Sequence, residues 1–240
     1  MRPHRRLPRA LAGLAVAGLA LTGCGAVEIG DQSLGEWIDS SAADSVTDAA
    51  AGAGSIDAAA TQATLEQIEI APEVDPDYDR DRDYGSGWDT LETGCDVRNT
   101  VLSRDMVQAE LTADGCTVES GVLKEHYTGQ SIDFTRGSAA GQSDAVQIEH
   151  LVPLSEAHHS GAAQWPQARR EAFAQDMSNL LAADGPTNNA KGNSDAAQWL
   201  PPNEAFWCSY VAGQVEVKTA YNLSMDAAEA QRISEILTHC

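Results

Sequence analysis

Positive charge is scarce in this 240-residue chain: 15 Lys and Arg stand against 36 Asp and Glu, a formal net charge of −21. Affinity for polyanions is normally dominated by Lys and Arg neutralising phosphates, so tight, salt-driven binding to duplex is excluded. Such an acidic surface suits solubility in salty media, where salt and divalent ions screen its repulsion. No Cys-x-x-Cys spacing occurs, which argues against a structural zinc site. Beyond the first two dozen residues no apolar run is long enough to span a bilayer, so no transmembrane helix is expected. Internal repeats, a coiled-coil pattern and an obvious hydrophobic dimer surface are all lacking, and monomer is the default.

The N-terminus reads as an export signal over residues 1–23. Arg2, His4, Arg5, Arg6 and Arg9 form a basic start, and Leu11 to Leu21 an apolar stretch too short to cross a membrane. It ends in Leu21-Thr22-Gly23-Cys24, which resembles a bacterial lipobox, a pattern implying lipidation of Cys24. The expected location is the outer face of the cytoplasmic membrane, anchored by lipid. Losing the four Arg of the signal takes the charge to −25. Residues 24–70 read as a tether, rich in Ala, Gly, Ser, Thr and Asp, with no Lys or Arg and few large apolar residues. One globular domain is expected over 71–240.

Setting Cys24 aside leaves Cys95, Cys116, Cys208 and Cys240, an even set in an oxidising compartment. Of three pairings, Cys95–Cys116 with Cys208–Cys240 keeps each bridge local. In the chain-entropy model each contributes roughly 3–4 kcal/mol.

Within the domain, Cys95–Met106 predicts a helix or strand, and Val118–Leu123 and Gln130–Phe134 predict strands about a turn at Tyr127-Thr128-Gly129-Gln130. Val146–His150 predicts a strand, Trp165–Asp176 a helix opened by Pro166, and Asn179–Ala183 a short strand. Asp184-Gly185-Pro186-Thr187 carries capping residues, placing Asn188 and Lys191 three apart on one face of a following helix. Asn203–Asn222 and Met225–Leu237 predict helices, with Trp207, Val211 and Val215 as a core stripe.

The densest pattern spans residues 148–191. An apolar run ends in Glu149-His150, Asn179-Leu180 follows, and Asn188-Asn189-Ala190-Lys191 closes the set. This ordered combination resembles the HNH, or ββα-metal, endonucleases. The narrower likeness is to exported actinobacterial-type members related to the GmrSD C-terminal domain. It rests on Tyr78-Asp79-Arg80, Trp88, Gly94-Cys95-Asp96-Val97-Arg98-Asn99, Tyr127-Thr128-Gly129, Asp184-Gly185-Pro186-Thr187-Asn188 and Trp199-Leu200-Pro201-Pro202.

The resemblance implies an α+β fold with a ββα-metal core, additional helices and small β elements. It also implies metal-dependent hydrolysis of DNA or RNA to a 5′-phosphate. Glu149 and Asn188 would hold one divalent ion, Mg²⁺ or Mn²⁺. His150 would be the general base, Asn179 would hold the loop carrying it, and Lys191 would meet a substrate phosphate. Asn189 is an alternative to Asn188 but lacks the three-residue spacing to Lys191. Asp is the more usual acid before the His, so Glu149 is a departure. A different class of function stays open: an inactive surface lipoprotein using the fold as a binding module, favoured by the negative charge and by Glu149. His158 and His159 fit no metal motif and are expected at the surface or on the substrate side. The alternating run Asp75, Asp77, Asp79, Asp81, Asp83 fails the EF-hand register and reads as a solvated strand or weak cation binder, with Arg80 and Arg82 able to pair with its acids.

Overall fold

The computed structural model describes residues 56–137, 139 and 142–240. The signal over 1–23, Cys24 and the tether as far as residue 55 lie outside the described residues. Order begins earlier than the expected boundary at 71. Helix α1 (Ala58–Leu65) is capped by the Asp57 carboxylate, which accepts from the Ala60 amide at 2.9 Å. It packs on two C-terminal helices, burying Leu65 and, just beyond it, Ile68. Residues 56–70 are therefore part of the domain rather than tether. Two large apolar side chains, spaced to face one side, outweigh the polar composition around them.

The acidic run is not a strand. Asp79 caps the short helix α2 (Arg80–Tyr84), accepting from the Arg82 amide at 2.9 Å. Arg82 pairs with Asp77 at 2.8 Å and Asp83 at 2.7 Å, and that arginine holds the buried Asp83 carboxyl far below the usual carboxylate range. Helix α3 (Val97–Asp105) is capped by Asp96 and leads straight into a three-stranded antiparallel sheet. That sheet holds β1 (Met106–Leu111), β2 (Val118–Lys124) and β3 (Ser131–Thr135) in sequential order.

A second sheet carries the segments of interest. Strand β4 (Val146–His150) is followed by helices α4 (Leu154–His159) and α5 (Gln167–Ala174). The chain then returns antiparallel as β5 (Leu180–Asp184), with His150 opposite Leu180 and Glu149 opposite Leu181. Helix α6 (Gly185–Lys191) follows without a break and packs on both strands. Its N-cap is Asp184, which accepts from the Thr187 amide at 2.8 Å. Gly185 is required at the junction: a Cβ there would lie 2.3 Å from the Asp144 carbonyl oxygen.

Both faces of the β4–β5 pair are covered. Val146, Ile148, Leu180 and Ala182 face a core built on α3 and the larger sheet. Leu181 and Ala183 face a second core, built on α1 and helices α7 (Trp207–Tyr221) and α8 (Ala227–Leu237). Val211 and Val215 are fully buried there, with Trp207 packed at the edge. Disulfides Cys95–Cys116 and Cys208–Cys240 join the start of α3 to the β1–β2 turn and α7 to the residues after α8. Among the described residues no helix is long and apolar enough to cross a membrane.

Candidate functional site

The end of β4 and the start of α6 open onto a cleft of about 400 Å³ lined by Arg80, Trp88, Arg98, Gln147, Glu149, His150 and Asn188. The Glu149 side chain shares its face of the sheet with Leu181, because directly opposed residues in an antiparallel pair project the same way. It is only 5% exposed, set against Tyr127 and Lys191, and contributes to the lining of the cleft. His150, next in sequence, projects to the other face.

His150 is fixed on both ring sides. Its Nε2 bonds the Ala174 carbonyl at 2.9 Å, so that nitrogen carries the proton. Trp88 stacks on the ring with centroids 6.2 Å apart. Among the described residues Nδ1 makes no hydrogen bond, which leaves its lone pair unused on a residue that lines the cleft. Burial pushes the imidazole down to about 4, so the ring is neutral at physiological pH.

Asn179 is fully buried and brackets the residues after His150. Its Oδ1 accepts from the Val152 amide at 2.8 Å and its Nδ2 donates to the Val152 carbonyl at 3.0 Å. Its own carbonyl takes the Leu151 amide at 2.8 Å. Asn188 donates from Nδ2 to Gln147 Oε1 at 2.9 Å, which leaves Oδ1 without a donor among the described residues.

Lys191 is not where a phosphate contact needs it. Its amine is fully buried and ion-paired to Glu149 Oε1, and it donates also to the carbonyls of His150 at 2.8 Å and Leu151 at 3.2 Å. Three acceptors use all three ammonium protons. Tyr127 adds a contact to the same Glu149 oxygen at 3.4 Å. Burial raises the Glu149 carboxyl and lowers the Lys191 amine, while each charge opposes the shift of the other.

Two cations line the cleft, Arg98 and Arg80, the latter expected from sequence to pair with the neighbouring acids. No side-chain hydrogen bond or ion pair holds the Arg80 guanidinium among the described residues, unlike Arg82 beside it. Arg98 donates to the carbonyls of Ser143 at 3.1 Å and Val146 at 3.0 Å. Arg80, Trp88 and Arg98 all fell within the quoted motifs, but no rule of spacing says that they reach β4. Other arginines are structural: Arg104 ties to Asp105 and the Leu180 carbonyl, and Arg170 to the carbonyls of Asp83 and Trp165. His158 is buried, not exposed. It is wedged between Tyr78 and Tyr84, 4.0 Å from Asp83, because the short α4 turns that face inward.

Residues 101–236 match the family model of GmrSD restriction endonucleases, C-terminal domain, a stretch that contains Glu149, His150, Asn179 and Asn188. The chain belongs to this family. As a GmrSD C-terminal domain it is a member of a nuclease-like family. Among curated proteins it is 34% identical over 186 residues to an uncharacterized secreted protein of Arthroderma benhamiae, covering 76% of this chain and 86% of that one. No solved structure matches it. The family match begins within α3, so Arg80 and Trp88 come to the cleft from outside the matched segment.

Proposed function

We propose that this chain is a metal-dependent endonuclease that hydrolyses phosphodiester bonds in DNA or RNA, and that β4, β5 and α6 form a ββα-metal (HNH) core. The observation that carries the reading is that His150, Glu149 and Asn188 line one cleft, with the His150 ring tethered through Nε2 and held neutral. In this reading His150 Nδ1 takes the proton of the attacking water. Asn179 is a positioning residue, holding the turn after His150. Glu149 and Asn188 offer carboxylate and amide oxygens to one hard divalent ion, Mg²⁺ with Mn²⁺ as substitute. When bound, that ion supplies electrostatic stabilisation of the phosphate and the leaving oxygen. Arg80, unpaired at the rim, takes the phosphate contact, and Lys191 instead holds Glu149 in place.

Export and a lipid anchor on Cys24 belong to the same proposal. Two disulfides and the secreted relative support export. The anchor rests on the Leu21-Thr22-Gly23-Cys24 pattern alone.

One observation favours a second reading, a catalytically silent binding module. The Lys191 ammonium already neutralises the carboxylate that a metal would use. Plasmid nicking separates the two. The expected result is cleavage with Mg²⁺ or Mn²⁺, none with EDTA, and none for His150→Ala or Asn188→Ala. Because His150 is the base and its ring titrates at about 4, activity should hold through mildly acidic pH and fail only as pH approaches that value. Folded protein that cuts no plasmid, single strand or RNA with any divalent metal would establish the binding module instead.

A further inference from the structure

A second group of carboxylates lies outside the His150 cleft. Glu73, Asp195 and Asp226 each bring one carboxylate oxygen within 4.8 Å of the others. They come from three separate stretches: the segment before α2, the loop leaving α6, and the N-cap of α8. Exposed acids often gather without purpose, but two of the oxygens here are not exposed. Asp195 is only 2% exposed, and its Oδ1 accepts the amides of Ala197 at 2.7 Å and Gln198 at 2.9 Å. Its Oδ2 is buried with no hydrogen-bond partner among the described residues. Glu156, near enough to perturb both Glu73 and Asp195, is buried as well; its Oε1 takes Lys218 at 2.6 Å and the Ser160 hydroxyl at 2.5 Å, while its Oε2 has no partner among the described residues.

The charge balance points the same way. Lys218 is the ammonium among these acids, and it already serves Glu156 and Glu229, the latter at 2.5 Å. His159 lies near enough to Glu73 to act on it electrostatically. Leaving a buried carboxylate oxygen uncompensated is costly, so such oxygens normally have a partner. A groove lined by Ile70, Ala71, Glu73 and Asp226 opens two of the three carboxylates to solvent.

We propose that Glu73, Asp195 and Asp226 bind a hard divalent cation, calcium foremost, with Glu156 behind them. The ligands are carboxylates, the donor class of calcium and magnesium. Carboxylates from three separate stretches of chain plus water can supply the six to eight oxygens calcium takes, whereas magnesium asks for a stricter octahedron. The ion would fasten the segment ahead of α2 and the start of α8 to the loop that leaves the active-site helix. This site is independent of the nuclease reading.

The test is calcium-dependent thermal unfolding of the full chain, with equilibrium dialysis to count bound ions. At a Kd near that of extracellular calcium modules, on the order of 10⁻⁴–10⁻³ M, calcium on the order of 10 mM should raise Tm by roughly 3–10 °C. Glu73→Gln and Asp195→Asn should abolish the rise and bind one ion fewer. In EDTA, Glu73→Gln should melt at or above wild type, because a like charge has been removed. Glu73 is exposed, so that variant keeps the test intact if Asp195→Asn fails to fold. No rise in wild type, a rise that survives in Glu73→Gln, or one lost only in Asn188→Ala would overturn the proposal.

Discussion

Glu149 and Lys191 place opposite charges in a pocket that neither would enter alone. Removing one partner of such a pair leaves an uncompensated charge, typically at a cost of about 3–5 kcal/mol. Lys191→Met should therefore lower unfolding free energy by about that much in urea titration. Lys191→Met combined with Glu149→Gln should recover much of the loss, since no bare carboxylate then remains. Equal destabilisation in the single and double variants would mean that Lys191 matters for its packing, not its charge. The pair also shows where sequence reading stops. His150, Asn179 and Asn188 could be picked out because their types and order carry chemistry. Whether the Lys191 amine turns outward or back onto β4 is decided by the three acceptors it meets. None of the three adjoins it in the chain.

Elements with a clear signal were legible: β4 agrees to the residue with the predicted Val146–His150, and α8 follows its apolar periodicity, whereas α7 is buried on nearly every side and begins at Trp207 rather than Asn203. Those missed lack the signal for physical reasons. Strand β1 leaves Val107 and Leu111 exposed and breaks register after Val107, with Gln108 in a left-handed conformation, so no alternation marks it. Helix α4 begins after Pro153 with no side-chain cap. In α2 the alternating Asp imitates a strand, while Asp79 caps a helix. Helix α1 is hidden by the composition of a tether. Its burial of Leu65 and Ile68 has a measurable consequence: a fragment starting at residue 71 should be less stable than one starting at 56. At about 1.5–3 kcal/mol per buried aliphatic side chain, the upper limit is roughly 3–6 kcal/mol, readable by chemical denaturation. Equal midpoints would show that α1 docks without contributing.

Across the whole molecule, charge opposes the proposed substrate nearly everywhere except at the cleft. From 93 to 240 the chain carries nineteen acids and nine bases, and most of the arginines near the site are tied to backbone carbonyls. Arg80 remains at the rim without a side-chain partner among the described residues, while Arg98 is itself tied to the Ser143 and Val146 carbonyls. One phosphate contact predicts a slope of about −1 for log K against log salt. Affinity for a short duplex should then fall about three- to fourfold between ~50 and ~200 mM salt, measured by fluorescence anisotropy. A slope several times steeper would require a basic surface that this fold does not present.

The burial of lysine has a practical corollary. The chain holds three lysines, and Lys191 and Lys218 are each about 1% exposed, leaving Lys124 on β2 as the exposed lysine. Amine-reactive dyes and cross-linkers should therefore modify the folded domain at Lys124 almost alone. Labelling of Lys191 or Lys218 would then report unfolding directly, and peptide mapping after a timed pulse becomes a gauge of how often the two buried ion pairs open.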